Sequence, residues 1–439
     1  MIKKFLIKQL EILPFWISLL VIIPISYYTF HSDFIILSKL AQKIAGGNLN
    51  FYEDLYIGAA NYHVPMLPPL LCLVDGLAYY LAERLGLINF DFTLIYHTPF
   101  IHLLLLKSRY IIIFILSYFL VNKVALVYTN QDKKLSRRIA NLWIASPILI
   151  YLPFVQGNND IYPAIFSLIF LLFVFRNNFL LAMIFLGLTA ALKGYALFLI
   201  VPVALILAEK NLKKTLLYCL TSGLAYFLPT LFYLKDVVYF TSGNSEKFMM
   251  LSTSIPSSLV SYSIFAIGYF LILLFLYYND ENIENIIDNK HKTLLVYCFL
   301  VMSLFFVTAF YPQWFLWILP FFIFLIYKNK KLYSIYILIC SAYLSLTYIG
   351  YPGNLDIYLW RKIFPSGPKG YYFPVGADEI KQLLMFNAGL FISLLIAFIY
   401  FLLKDNRKEK TDDKFSVYLS YLPTAILLLA IYAVALLSK

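Results

Sequence analysis

Apolar runs long enough to cross a bilayer recur along almost the whole chain, and they constrain its fold more than any motif. Glu11–Phe30 is the first, and further runs of about 15–22 residues lie at 66–85, 109–128, 139–155, 160–176, 179–192, 195–208, 215–233, 257–278, 294–311, 313–327, 332–349, 382–403 and 416–437. Thr93–Leu106 is apolar but short and carries His97, Pro99 and His102, so it reads as a short span or an interfacial helix. Hydrophobic residues make up 62% of the 439 and charged ones 13%, where soluble domains run at about 45–50% and 25%. Because the excess is in blocks, it does not describe one oversized soluble core. A soluble enzyme, a disordered chain and a nucleic-acid binder are excluded. The expectation is an all-α, polytopic transmembrane helical bundle.

The net charge of +12 has a membrane explanation. Lys and Arg sit in short clusters between apolar runs, not on one face as nucleic-acid binding requires. The clusters are Lys3/Lys4/Lys8, Lys133/Lys134/Arg137/Arg138, Lys210/Lys213/Lys214, Lys328/Lys330/Lys331 and Lys404/Arg407/Lys408/Lys410/Lys414. All fall on one side only if residues 93–106 cross the membrane, which predicts about fourteen crossings and a cytoplasmic N-terminus. The first run follows three lysines, as in a signal peptide, but no small-residue cleavage site follows it, so it reads as an uncleaved helix. Cys72, Cys219, Cys298 and Cys340 lie far apart inside apolar runs without a CxxC pair, and support neither a disulfide framework nor a metal site.

With the cytoplasmic loops short and basic, any chemistry is expected on the outer side. The first outer loop, His31–Pro65, begins His31-Ser32-Asp33. Phe34, Leu37, Leu40, Ala41 and Ile44 recur at helical spacing, with Lys39 and Lys43 on another face, and Gly46-Gly47 ends the pattern. This predicts an amphipathic helix on the outer surface, with Asp33 near its start as either an N-cap or a functional acid. Tyr62-His63 leads through Pro65 to Pro68-Pro69, where a helix starts. Gln156-Gly-Asn-Asn-Asp160 and Leu192-Lys193-Gly-Tyr195 each place polar groups at outer helix ends. Lys193 lies between two short spans that look re-entrant, where a lysine either neutralises a phosphate or snorkels. Tyr311-Pro-Gln313-Trp314 adds aromatics and an amide, and the loop 350–381 mixes Arg361 and Lys362 with aromatics. Aromatics with cations suit sugar faces and phosphates, and equally an interfacial loop on anionic lipid.

Taken together these segments resemble the GT-C class of integral-membrane glycosyltransferases, specifically the polyprenyl-phosphate-mannose-dependent mannosyltransferases. The resemblance runs through Ser32-Asp33-Phe34, Ala41…Gly46-Gly47…Tyr52, Tyr62…Pro68-Pro69-Leu70, Gly157-Asn-Asn-Asp160, Leu186-Gly187…Leu192-Lys193-Gly194 and Tyr311-Pro-Gln313-Trp314. Family members often carry Gly-Gln-x-Asp where this chain has Gly157-Asn158-Asn159-Asp160, and Tyr-Pro-Pro where Leu67 precedes Pro68-Pro69. The match covers a module at 1–327 and leaves 328–439, with its outer loop 350–381, as a variable second module.

The resemblance implies an inverting hexosyltransferase, mannose foremost, using a polyprenyl-phosphate sugar and a lipid-linked or glycan acceptor. Asp33 is then the expected base, with Glu53 and Asp54 as second choices or acceptor-orienting groups. Lys193 is expected to stabilise the leaving phosphate, helped by Arg361 or Lys362. His63, Asp160, Tyr195, Gln313 and Trp314 are expected substrate contacts. No cofactor is firmly implied: Glu53-Asp54 could hold a divalent ion, but no third ligand stands at a telling spacing. The outer ends carrying Asp33, Pro68-Pro69, Asp160 and Lys193 are expected to converge. Two rivals stay open. A lipid or glycolipid flippase or transporter predicts interrupted helices and an internal repeat, and no repeat is visible. A membrane glycan polymerase or ligase would use a late outer loop rich in arginines, where 350–381 has only Arg361.

Overall fold

The computed structural model describes residues 12–28, 32–49, 68–86, 100–233, 258–278, 290–308, 314–327, 329–350 and 377–404, with residues 421, 423 and 425. Among these, regular structure is helical throughout, in fifteen α-helices with no strand. In chain order they begin with α1 (Leu13–Tyr28), α2 (Ser32–Ala45), α3 (Pro69–Arg84), α4 (Phe100–Tyr128), α5 (Lys133–Ile144) and α6 (Pro147–Tyr151). A π turn (Leu152–Gln156) follows, then α7 (Ile161–Phe175), α8 (Phe179–Leu192), a 3-10 turn (Gly194–Ala196), α9 (Leu197–Leu207) and α10 (Leu212–Leu231). The last are α11 (Ser258–Tyr278), α12 (Lys290–Thr308), α13 (Phe315–Ile326), α14 (Lys330–Gly350) and α15 (Ala377–Lys404). The chain divides into two compact units, residues 1–35, 87–161 and 323–439 forming the first and residues 36–86 and 162–322 the second.

Within the first unit α4 packs on α5 and α1, and α14 on α15. The helix α5 starts where the Asp132 carboxylate accepts from the backbone N–H groups of Lys134 and Leu135, at 2.9 and 3.0 Å, satisfying donors that a helix start leaves open. It ends at Ser146-Pro147, and the chain resumes at a 46° bend through α6 and the π turn. Proline removes a ladder donor and clashes with the preceding turn, so a break is expected there. Neighbours stitch the break: the Tyr336 hydroxyl donates to Ser146 Oγ at 2.7 Å, and Ser18 Oγ donates to the Ile144 carbonyl at 2.9 Å. The single span expected at 139–155 is therefore two helical pieces.

A second difference concerns residues 93–128. Separate crossings at 93–106 and 109–128 are expected from the placement of the basic clusters, yet α4 runs from Phe100 through Lys107-Ser108-Arg109 to Tyr128 as one helix. The reason is that both cations are taken up inside the unit, and no break is needed to wet them. Lys107 is fully buried and donates to the Phe154 carbonyl at 2.6 Å. Arg109, 2% exposed, lies with its guanidinium 4.9 Å from the Tyr110 ring. Residues 87–99 lie outside the described residues. Leu104–Tyr128 within α4 is the one described helix that alone is long and apolar enough to cross a membrane; α5 with α6 and the π turn qualifies as a bent pair.

Within the second unit α8, α9 and α10 pack together, α11 and α12 pair beside α9, and α3 touches α8 and α10. The closest approach is at Gly187 of α8: a Cβ there would overlap the Ser222 carbonyl oxygen of α10 and lie 2.8 Å from Ala225 Cβ. The obstacle is backbone, so it cannot swing aside. Gly187→Ala is expected to destabilise the unit by roughly 1–3 kcal/mol, read as a lower unfolding temperature in detergent. Away from this contact α10 exposes Leu216, Leu220, Leu224, Phe227, Leu228 and Leu231, and α11 exposes Ile267, Phe270, Leu271 and Phe275. Large exposed apolar side chains in this number mark a surface that meets something other than water.

The amphipathic helix expected at 33–45 is present as α2. Leu40, Ala41 and Ile44 are buried while Lys39 and Lys43 are exposed. It stops where Gly47, at φ 89°, takes a conformation L side chains avoid. Ile44 packs tightly against Gly76 of α3, where a Cβ would collide with the isoleucine side chain.

Candidate functional site

Each unit has a basic end. In the second, the Lys290 amine at the start of α12 donates to the Leu207 carbonyl at 3.2 Å and pairs with Glu209 at 2.7 Å, with its ammonium 4.9 Å from the Phe179 ring. The Lys210 amine donates to the Tyr277 carbonyl at 2.6 Å. These contacts gather the start of α8, the turn after α9, the end of α11 and the start of α12. The hydrogen-bonded Lys290 amine and its charge hold the Glu209 carboxyl below its usual range, but Glu209 is 78% exposed and the pair is worth little in stability.

Lys193 lies at the opposite end of α8 from this basic cluster, roughly 20 Å away at 1.5 Å per residue. There the helix ends because Lys193 turns to extended backbone, and the Gly194–Ala196 turn reverses the chain into α9. Tyr195, 3% exposed, stacks on Trp317 with ring centroids 4.0 Å apart and planes 9° apart. Trp314 stacks on the same indole at 5.1 Å and 20°, and the Lys193 ammonium lies 5.9 Å from its centroid. Three expected residues, Lys193, Tyr195 and Trp314, are thus joined through Trp317. Tyr195 and Trp317 are spent on each other, so the accessible part of the cluster is half-buried Trp314 and Lys193, an aromatic ring and an ammonium of the kinds that suit a sugar and its phosphate.

In the first unit the outer turn is built differently. The π turn ends on Gly157 in the left-handed region at φ 69°, and the N–H groups of Gly157 and Asn158 both donate to the Leu152 carbonyl. The Asn158 side chain accepts from the Asp160 N–H at 3.0 Å. Asn158, Asn159 and Asp160 are all buried, at 6, 1 and 0% exposure. Lys107 holds the Phe154 carbonyl of this turn, and Phe114 packs edge-on against the Phe154 ring at 5.4 Å. Lys107 is separated by roughly 30 Å of helix from Tyr128, which meets Phe324 and Tyr327 at the unit's own basic end. π turns of this kind concentrate at functional sites.

Asp33 is the second residue of α2, in the first unit, and Pro68-Pro69 begin α3 in the second. Glu53, Asp54, His63, Gln313, Arg361 and Lys362 lie outside the described residues. Asp160 belongs to the first unit and Lys193, Tyr195 and Trp314 to the second.

Sequence reasoning passed over Lys107, Arg109 and Asp75. Asp75 of α3 is 2% exposed and accepts a hydrogen bond from the Tyr162 hydroxyl of α7 at 2.8 Å. An acid inside an apolar run is a signal in itself, since such groups are retained where they are paired or used. Tyr162→Phe is expected to cost about 1–3 kcal/mol, and a double-mutant cycle with Asp75→Asn should return most of that as coupling; additive losses would show that the bond carries none of it.

The sequence matches no protein-family model and no curated protein.

Proposed function

We propose that this chain is a multi-pass integral-membrane glycosyltransferase. It moves a hexose, mannose foremost, with inversion from a polyprenyl-phosphate donor to a lipid-linked or glycan acceptor on the outer face. The observation that carries the reading is the Lys193–Tyr195–Trp317–Trp314 cluster, a cation beside stacked rings at the end of α8 away from the basic cluster. That polarity matches short basic cytoplasmic loops opposite a site for a sugar and its phosphate.

In this reading Asp33 takes the proton of the acceptor hydroxyl while its oxygen attacks the anomeric carbon. The bond from that carbon to the donor phosphate breaks on the opposite face, and the electron pair leaves with the polyprenyl phosphate. The Lys193 ammonium stabilises the charge gained there. Tyr195 and Trp314 hold the sugar, with His63, Asp160 and Gln313 as further contacts and Arg361 and Lys362 as helpers at the phosphate.

The test is transfer in vesicles from defined polyprenyl-phosphate sugars, comparing wild type with Asp33→Asn, Asp54→Asn and Lys193→Ala. Transfer persisting in Asp33→Asn would move the base to Asp54. A chelator added to the same vesicles decides whether Glu53-Asp54 works through a divalent ion.

A second reading, a lipid or glycolipid flippase, is favoured by the broken helix at Ser146-Pro147 and by the buried Lys107, Arg109 and Asp75. Discontinuous helices and intramembrane charges are what transporters use. Lipid scrambling without sugar transfer in the same vesicles would select it.

A further inference from the structure

The turn Gln156–Asp160 of the first unit contains a side chain that its own structure does not satisfy. Asn159 is 1% exposed, and neither its amide oxygen nor its amide nitrogen has a hydrogen-bond partner among the described residues. The neighbouring Gln156 Oε1 is buried and likewise without one. Buried polar atoms are almost always paired, because an unpaired one keeps the full cost of leaving water. Two such side chains within one turn mark a place completed by something else.

The chemistry of that partner follows from the atoms. Asn159 Oδ1 and Gln156 Oε1 accept and need donors; Asn159 Nδ2 donates and needs an acceptor. A hydrocarbon tail offers neither. A phosphate offers acceptors alone and would leave both oxygens unmet. Sugar hydroxyls donate and accept from the same atom, and adjacent hydroxyls on a ring can serve both oxygens and the amide N–H. The segment's own backbone also offers few donors to these oxygens. Pro147 and Pro153 each withdraw a backbone donor from the α6–π segment, and a single carbonyl, that of Leu152, takes two N–H groups. Lys107, through the Phe154 carbonyl, holds the turn in position without occupying the amides.

We infer that the Gln156–Asp160 turn is a sugar-hydroxyl binding site in which Asn159 and Gln156 read the ring. The inference rests on the glycosyltransferase reading and deepens it, adding two binding residues to those expected from sequence.

The experiment uses the full chain in lipid nanodiscs and titrates methyl α-D-mannopyranoside by saturation-transfer NMR, with inorganic phosphate as competitor. Asn159→Leu should weaken mannoside binding about tenfold, and phosphate should not displace the mannoside. Mannoside binding unchanged in Asn159→Leu overturns the assignment, because an ordered water then satisfies the amide; displacement by phosphate overturns it too. If the buried leucine prevents folding, Gln156→Leu at its half-exposed position carries the same comparison, and wild-type binding there has the same force. The vesicle transfer assay separates the two claims. Mannoside binding that depends on Asn159 in a protein without transfer keeps the site and removes the enzyme. Transfer with binding indifferent to Asn159 and Gln156 keeps the enzyme and removes the site.

Discussion

Asp33→Asn is expected to lower sugar transfer by about 10²–10⁴-fold, the range over which a positioned general base contributes. The substitution keeps the size and the hydrogen-bonding oxygen but removes the ability to hold a proton. Its place makes the loss specific. Asp33 is the second residue of α2, where an amide caps or neighbours a helix start about as well as a carboxylate. Folding should therefore be nearly unchanged, so unfolding temperature and transfer must separate. A parallel fall in both would reduce Asp33 to a structural residue. Asp54→Asn in the same vesicles shows which acid matters, because only one carboxylate can take the acceptor proton.

The second large effect is expected at Lys193. Removing a fixed cation from a leaving phosphate costs about 10²–10³ in turnover when it acts in the transition state. Lys193→Ala should lower kcat and leave the KM for the acceptor close to wild type. Lys193→Arg should recover part of the loss, since the charge is kept while the point ammonium becomes a planar fork. A snorkelling lysine predicts something else: little change in kcat with either substitution. The stack offers an internal control. Trp317→Leu removes the ring on which Tyr195 and Trp314 both lie and should raise KM for the donor more than it lowers kcat, because a platform binds ground state and transition state alike.

How much of this was legible depended on what decided each element. The helix α2 was visible because an exposed amphipathic helix writes its burial into a 3.6-residue period, and Gly46-Gly47 marks its end. The start of α3 at Pro68-Pro69 and the end of α8 at Lys193 were visible for similar local reasons. Lys107 and Arg109 were passed over because nothing local in the sequence marks what a buried cation in an apolar run meets. Their contacts are the Phe154 carbonyl, 47 residues away in sequence from Lys107, and the Tyr110 ring beside Arg109. The split of 139–155 depended on Ser146-Pro147 and on Tyr336, 190 residues on. Trp317 stands one helical turn beyond the Tyr311-Pro-Gln313-Trp314 stretch, but only the packing of α13 against the Gly194–Ala196 turn makes it the joint of the cluster.

The helix α4 acts as a ruler. From the Tyr128 end to Lys107, which grips the π turn, it measures roughly 30 Å, the thickness of a bilayer's hydrocarbon core. If the basic end faces the cytoplasm, whatever the Gln156–Asp160 turn holds is separated from the cytoplasm by a full membrane. Nucleotide-activated sugars, made and kept in the cytoplasm, would be out of reach by geometry alone. On the glycosyltransferase reading proposed above, the donor for such a turn arrives already carried across on a lipid, and transfer then depends on an earlier translocation step.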